Sequence, residues 1–328
     1  MKAPKHRKPL ISTIIPVKNG AKWLPEAIAG ILNQKLANDT EIIVIDSGST
    51  DSSLEILRKL PVKLIQIAAS EFNHGTTRNL GIQQATGEFV VMTVQDAVAT
   101  DDQWLTNLLQ PFSDATVAGV CGQQVVPHLA GNNPIDWFRP ISAPISRKYY
   151  FPDKDNFDKL SNIEKAAICR WDDVNAMYRR QSLLRLPFKR VDFAEDVLWC
   201  RDALLNGLAI VYEPLARVNH YHFETPEYVY RRTFSEFYHF FKIFDTLPNE
   251  VANGPVEVLK NLKLLTSISD LSWADKWQWL KFNYHRRVAI NKSVKAFRSS
   301  VLKGKSSLEN KYAEVVKIPV QALNPSLS

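Results

Sequence analysis

Cysteine is scarce. Cys121, Cys169 and Cys200 are the only three among 328 residues, and they are widely spaced. That excludes a disulfide framework and any CxxC metal knuckle, and it suits a reducing compartment. Long apolar runs are missing too, since no stretch approaches the roughly 18 residues that a spanning helix needs. Glycine is outnumbered by proline, 12 to 18, and the glycine-rich phosphate loops are absent. The first strand-to-helix turn reads Pro16-Val17-Lys18-Asn19-Gly20-Ala21 where a dinucleotide fold would carry G-x-G-x-x-G, and no G-x-x-x-x-G-K-[ST] occurs. Hydride transfer and P-loop ATP hydrolysis are therefore poor candidates. Internal repeats and low-complexity tracts are also lacking.

What is present suits a folded catalytic chain. Hydrophobic residues make up 45% of it and the formal charge is +7. That is material for one large or two modest cores. The basic start followed by apolar residues resembles a signal peptide, but Ser12, Thr13 and Pro16 interrupt the run, so a first β-strand is the better reading. The expected location is the cytoplasm, with a peripheral position at the inner face of the plasma membrane as the variant.

Apolar, β-branched runs at 12–15, 41–45, 62–67, 89–93 and 117–125 read as strands. Helical periodicity fills 21–34, 51–60, 75–85 and 102–112. This alternation implies an α/β domain, a mostly parallel open sheet with helices on both faces. The rhythm fails over about 128–165, a stretch long enough to be functional or mobile. It resumes with strands at 174–178 and 209–212 around a helix at 195–205, and from about Pro226 the chain reads as wholly helical.

Two acids sit at strand ends. Asp46 closes the second strand ahead of Ser47-Gly48-Ser49-Thr50-Asp51, where a carboxylate can accept from a base imide or a ribose hydroxyl. Thr50 and Asp51 themselves read first as helix-capping residues. Asp96 follows the fourth strand, in the crevice where open α/β sheets bind ligands. Arg78 lies near the start of a helix after His74-Gly75, where backbone N–H groups already favour an anion and a guanidinium can bridge diphosphate oxygens.

The segments STIIPVKNGAKWL, EIIVIDSGSTDSSLEIL, FNHGTTRNLGIQQATGEFVVM, FAEDVLWCRDALLNG and IVYEPLARVNHYH stand in the order found in family 2 glycosyltransferases. Over roughly residues 10–225 the chain resembles that family and its GT-A fold. The F-N-H-G before T-R-N-L-G, with Q-D-A after the fourth strand, resembles the bacterial rhamnosyltransferase branch. The resemblance implies a GT-A domain over 1–225, with a nucleotide-sugar half at about 10–127 and an acceptor half at about 128–225. A helical region over 226–328 would follow.

It further implies that Pro16, Asn19, Asp46, Ser49, His74, Arg78, Gln95 and Asp96 bind the nucleotide sugar, with Asp46 facing the pyrimidine. The family's Asp-x-Asp reads Val94-Gln95-Asp96 here, so the first acid is missing. Mg²⁺ tolerates that, because it keeps waters and takes phosphate oxygens. The family pattern supplies His220 as a further metal or diphosphate contact, and an imidazole suits Mn²⁺ better than Mg²⁺. If the strand continues, His220 and His222 share a face. By the same resemblance Asp196 is the catalytic base, Glu195 supports it or touches the acceptor, and Asn175 belongs to the supporting, acceptor side. Asp172 and Asp173 read equally as solvated turn residues.

The expected activity is inverting transfer of a sugar, L-rhamnose from dTDP-rhamnose, to a bacterial surface-glycan or lipid-linked acceptor with a divalent cation. A non-catalytic sugar-nucleotide-binding scaffold and a UDP-hexose transferase remain open as alternatives. From Lys276 to Lys305 nine Lys or Arg alternate with aromatics and no acid intervenes. That composition suits a membrane surface, packing within the chain, or a second subunit. Nucleic acid is not expected, because no RNP or zinc-knuckle motif accompanies the basic residues.

Overall fold

A computed structural model describes residues 8–129, 131–138 and 142–316; most of the basic N-terminal stretch lies outside them. The chain divides into two compact units, one of residues 1–125 and 141–220, the other of 126–140 and 221–328.

The described residues of the first unit form a nine-stranded sheet. Its strands are β1 (Ile11–Val17), β2 (Thr40–Asp46), β3 (Lys63–Gln66), β4 (Phe89–Thr93), β5 (Val98–Ala99), β6 (Val117–Val125), β7 (Arg147–Tyr149), β8 (Asn175–Arg179) and β9 (Ala209–Asn219). The order is β3-β2-β1-β4-β8-β6-β9-β5, with β7 also beside β9. The helices are α1 (Leu24–Leu32), α2 (Ser53–Leu57), α3 (His74–Gln84), α4 (Trp104–Leu109), α5 (Lys154–Asp158), α6 (Asn162–Ile168), α7 (Arg180–Arg185) and α8 (Glu195–Leu205). Ile11, Ile14, Ile15, Val44, Val90 and Val91 are completely buried. Such continuous apolar runs mark strands covered on both faces.

The α/β class holds, but the sheet is mixed rather than mostly parallel. β3, β2, β1 and β4 run parallel. β8 then enters antiparallel to β4, pairing Asn175 with Thr93, and antiparallel to β6. β6 and β9 are parallel. One consequence decides the site: the residues just before β8 arrive beside those just after β4. The stretch read as irregular contains β7, α5 and α6.

The second unit carries α9 (Pro226–Phe244), α10 (Pro255–Thr266), α11 (Trp273–Leu302) and α12 (Lys305–Val315), the helical region read from the sequence. Phe234, Tyr238, Phe297, Leu308 and Val315 form its core. Asn133 and Asn283 are buried and exchange two amide hydrogen bonds of 2.8 and 2.9 Å. Part of the stretch expected to be irregular is thus fastened to α11. Among the described residues no helix is long and apolar enough to cross a membrane.

Candidate active site

The parallel strands β1, β2 and β4 end on one edge of the sheet, and their loops are laced together. The Asn19 N–H donates to Ser49 Oγ at 2.8 Å, and the Thr50 N–H donates to Asn19 Oδ1 at 2.8 Å. Asn19 adopts a left-handed backbone, φ 51°, a conformation Asn tolerates better than most residues. Pro16 lies beyond the last β1–β4 rung at Ile14–Met92. Asp46 is fully buried. Its Oδ1 accepts from the Gly48 and Ser49 N–H groups, each at 3.1 Å, whereas its Oδ2 is buried with no hydrogen-bond partner among the described residues. A buried acceptor left unmade is costly, so this oxygen is poised for a donor from outside the chain.

Val94 occupies the position of the missing acid, and the amide of Gln95, the middle residue of the triplet, is already engaged. Its Oε1 accepts from the Lys18 N–H at 3.0 Å and its Nε2 donates to the Lys18 carbonyl at 3.2 Å. A carboxylate could make only the first of these bonds. Asp96 follows, with Oδ1 3.6 Å from His220 Nε2. β9 stops at Asn219, so His220 and His222 lie beyond the strand rather than on one of its faces. Asp96 and His220 each offer a ligand atom, and the two atoms lie within 4.8 Å of each other. A carboxylate with an imidazole fits a borderline divalent ion such as Mn²⁺ better than Mg²⁺.

The second cluster is built on α3 and α8. Asn73 caps α3 through Thr76 N–H at 3.2 Å and donates to the Val191 carbonyl at 2.7 Å. Asn79 exchanges two bonds with the Phe188 backbone. These ties hold the 188–191 segment on α3 and bring Arg78 under the start of α8. Arg78, expected on the donor diphosphate, is buried and turned to the acids. Its Nη1 meets Glu195 Oε1, and its Nε lies 3.3 Å from Asp173 Oδ2. Asp173 also accepts from the Tyr178 hydroxyl, which in turn accepts from Trp171 Nε1 at 2.6 Å. His74 opens α3, with its ring edge-on to Phe72 at 4.9 Å.

Asp196 is half-buried and its Oδ2 accepts from the Asp173 N–H at 3.4 Å. Burial, followed by the Glu195 and Asp173 carboxylates, pushes its pKa well above the usual carboxylate range. Burial raises Asp173 to about 6 against the pull of Arg78. Glu195 goes the other way: burial opposes its ionisation, but the charge of Arg78, the influence of His74 and hydrogen bonds to the carboxylate together hold it below its ordinary value. The three carboxyls thus divide into an ionised partner for Arg78 and two groups able to hold a proton nearer neutrality.

Asn175 is fully buried, and its whole amide is used by the fold. It accepts from Trp104 Nε1 at 2.8 Å and donates to the Ala216 and Gln123 carbonyls at 2.8 and 3.2 Å. Asp172 and Asp173, for which a solvated turn was only an equal reading, belong to the acid cluster. Knowing that β8 runs against β4 would have put them there; periodicity does not reveal strand direction.

The profile of Glycosyl transferase family 2 matches residues 12–185. O-antigen chain rhamnosyltransferase RfbN of Salmonella typhimurium is 31% identical over 231 residues, 68% of this chain and 70% of that protein. O-antigen chain rhamnosyltransferase WbaN of Salmonella anatum is 32% identical over 235 residues, 69% of this chain and 70% of that protein. Among solved structures, residues 1–349 of S. aureus TarS in complex with UDP-GlcNAc give a TM-score of 0.52 at 19% identity, covering 96% of this chain and 83% of that one. At that identity the likeness is one of fold.

Proposed function

Because the chain belongs to glycosyltransferase family 2, we propose that it transfers L-rhamnose from dTDP-rhamnose, with inversion, to a glycan or lipid-linked acceptor of a bacterial surface polymer. The observation that carries the donor is the likeness to two O-antigen rhamnosyltransferases over more than two thirds of the chain. In this reading Asp46 Oδ2 accepts from the thymine imide N–H, while Pro16, Asn19 and Ser49 frame the nucleotide. The acceptor hydroxyl oxygen attacks the anomeric carbon, and the bond from that carbon to the diphosphate oxygen breaks. The electron pair leaves with dTDP, and Asp196 takes the hydroxyl proton. Arg78 keeps Glu195 ionised beside it. Asp96 and His220 would hold a divalent cation, which when bound supplies positive charge to the leaving diphosphate. We read the exposed aromatic and basic side chains of α11 as the surface that meets the membrane of a lipid-linked acceptor.

A thermal-shift series with dTDP, dTDP-rhamnose, UDP-GlcNAc and GDP-mannose tests the donor. Saturation at a hundred times Kd stabilises the native state by about 2.7 kcal/mol, so the thymidine nucleotides should raise Tm most. A larger shift with UDP-GlcNAc would refute the rhamnosyl assignment while leaving the family intact. Absence of any donor hydrolysis or transfer by a chain that binds dTDP-rhamnose would instead favour a scaffold.

A further inference from the structure

Gln124 lies on β6, one residue before Val125, whose carbonyl accepts the His220 backbone N–H at 3.0 Å. Its side-chain amide is held at both ends. Nε2 donates to the Asp172 carboxylate, and Oε1 lies 2.6 Å from His220 Nδ1. Asp172 is itself fixed, because its other oxygen accepts from the Val174 N–H at 2.8 Å.

The donor and acceptor inventory leaves one arrangement. An ionised carboxylate only accepts, so the amide must turn its NH₂ group towards Asp172 and its carbonyl oxygen towards the histidine. That oxygen also only accepts, so His220 Nδ1 must carry the proton. In a neutral imidazole the lone pair then belongs to Nε2, and Nε2 is the nitrogen turned to Asp96, 3.6 Å from Oδ1. Replacing Gln124 with an apolar residue removes the constraint and lets the ring choose either tautomer.

We propose that Gln124, anchored by Asp172, is a positioning residue. It fixes the tautomer and ring plane of His220 so that Nε2 is offered to a divalent cation shared with Asp96. The proposal rests on the reading of Asp96 and His220 as cation ligands. Asp172 thereby acquires a role at a distance: it dictates which way the Gln124 amide faces.

Two measurements on the full chain test this. The first is the tautomer of His220, read from long-range ¹⁵N–¹H spectra of histidine-labelled protein at a pH where the ring is neutral. Its signals are identified by their loss in His220→Gln. The expected form carries the proton on Nδ1; a proton on Nε2 would overturn the proposal, and no variant of Gln124 is needed to see it. The second is binding of Mn²⁺ alone, followed by the paramagnetic resonance of the free ion. Loss of such an outer partner typically weakens metal affinity by about 10–100-fold, which is the loss expected for Gln124→Leu, with the His220 signal moving towards the Nε2–H form. Unchanged Mn²⁺ affinity in a folded Gln124→Leu, while Asp96→Ala and His220→Gln both weaken it, would refute the positioning role and leave the cation site standing. Unchanged affinity in all three would remove the cation reading and the proposal with it.

Discussion

Asp196 stands between opposed influences. It is the second residue of α8, where the helix N-terminus favours a negative charge, yet burial and the neighbouring Glu195 and Asp173 carboxylates push its pKa up. In the role of general base proposed for it, Asp196 works ionised, so transfer should rise with pH as it loses its proton. Because its pKa is raised, the acid limb of kcat/KM should lie above the ordinary carboxylate range near 4. Asp173 lies close enough for the limb to belong to the pair, so a variant must assign it. Asp196→Asn keeps the side-chain shape and removes proton acceptance. Turnover should fall by the roughly 10²–10⁴-fold typical of a lost general base, and the acid limb should disappear. Tm should hardly move, since Asn also suits a helix start. Near-normal transfer by a folded Asp196→Asn enzyme would move the role to Glu195.

Elements place these residues, and α3 shows how tightly. A Cβ on Gly75 would meet the Lys189 carbonyl oxygen at 2.3 Å and its carbon at 3.2 Å. Both are backbone atoms, so Gly75→Ala must push the 188–191 segment away from α3. Overpacking of this kind costs about 1–3 kcal/mol. Tm and turnover should fall together, unlike the separated effects expected of Asp196→Asn; an unchanged Tm would mean the two segments are not held in this contact. The glycine was visible in the sequence, but the contact that demands it was not. The same division runs through the sheet. Phe89–Thr93 and Ile11–Val17 were legible because strands covered on both faces need uninterrupted apolar, β-branched runs. β9 was read only over 209–212. Here a register shift between Gly122/Glu213 and Gln123/Arg217 leaves Pro214, Leu215 and Ala216 out of the ladder, and the strand continues to Asn219. His220 was therefore found by family pattern, and Gln124 was not found at all. Its importance depends on which strand lies beside it. Asn175 was read as part of the supporting, acceptor side, although its amide is taken up by Trp104, Gln123 and Ala216.

For the whole molecule, the formal charge of +7 gives a general attraction to anionic surfaces, and α11 offers one place to focus it. Trp273, Trp277 and Tyr284 are 63%, 60% and 43% exposed, and the helical period sets them in one stripe. Trp and Tyr suit the headgroup layer. The nine cations overstate the attraction, however. Arg286 pairs with Asp136 and Glu224, Arg287 with Glu257 and Lys295 with Glu250, while Lys276 is buried. Lys281 and Lys292 are exposed, and each exposed cation near an anionic surface contributes about 1 kcal/mol. Binding should therefore be weak, reversible and dependent on lipid charge. The full chain should sediment with vesicles containing phosphatidylglycerol and not with phosphatidylcholine alone. Raising salt until the Debye length falls to about 3 Å should release it. A Trp273→Ser, Trp277→Ser variant should bind less at low salt with its donor affinity intact, because these side chains lie on α11 and not in the loops that follow β1, β2 and β4. Equal sedimentation with neutral vesicles would make the attachment apolar rather than electrostatic. No sedimentation with either would return the stripe to contact with another protein surface.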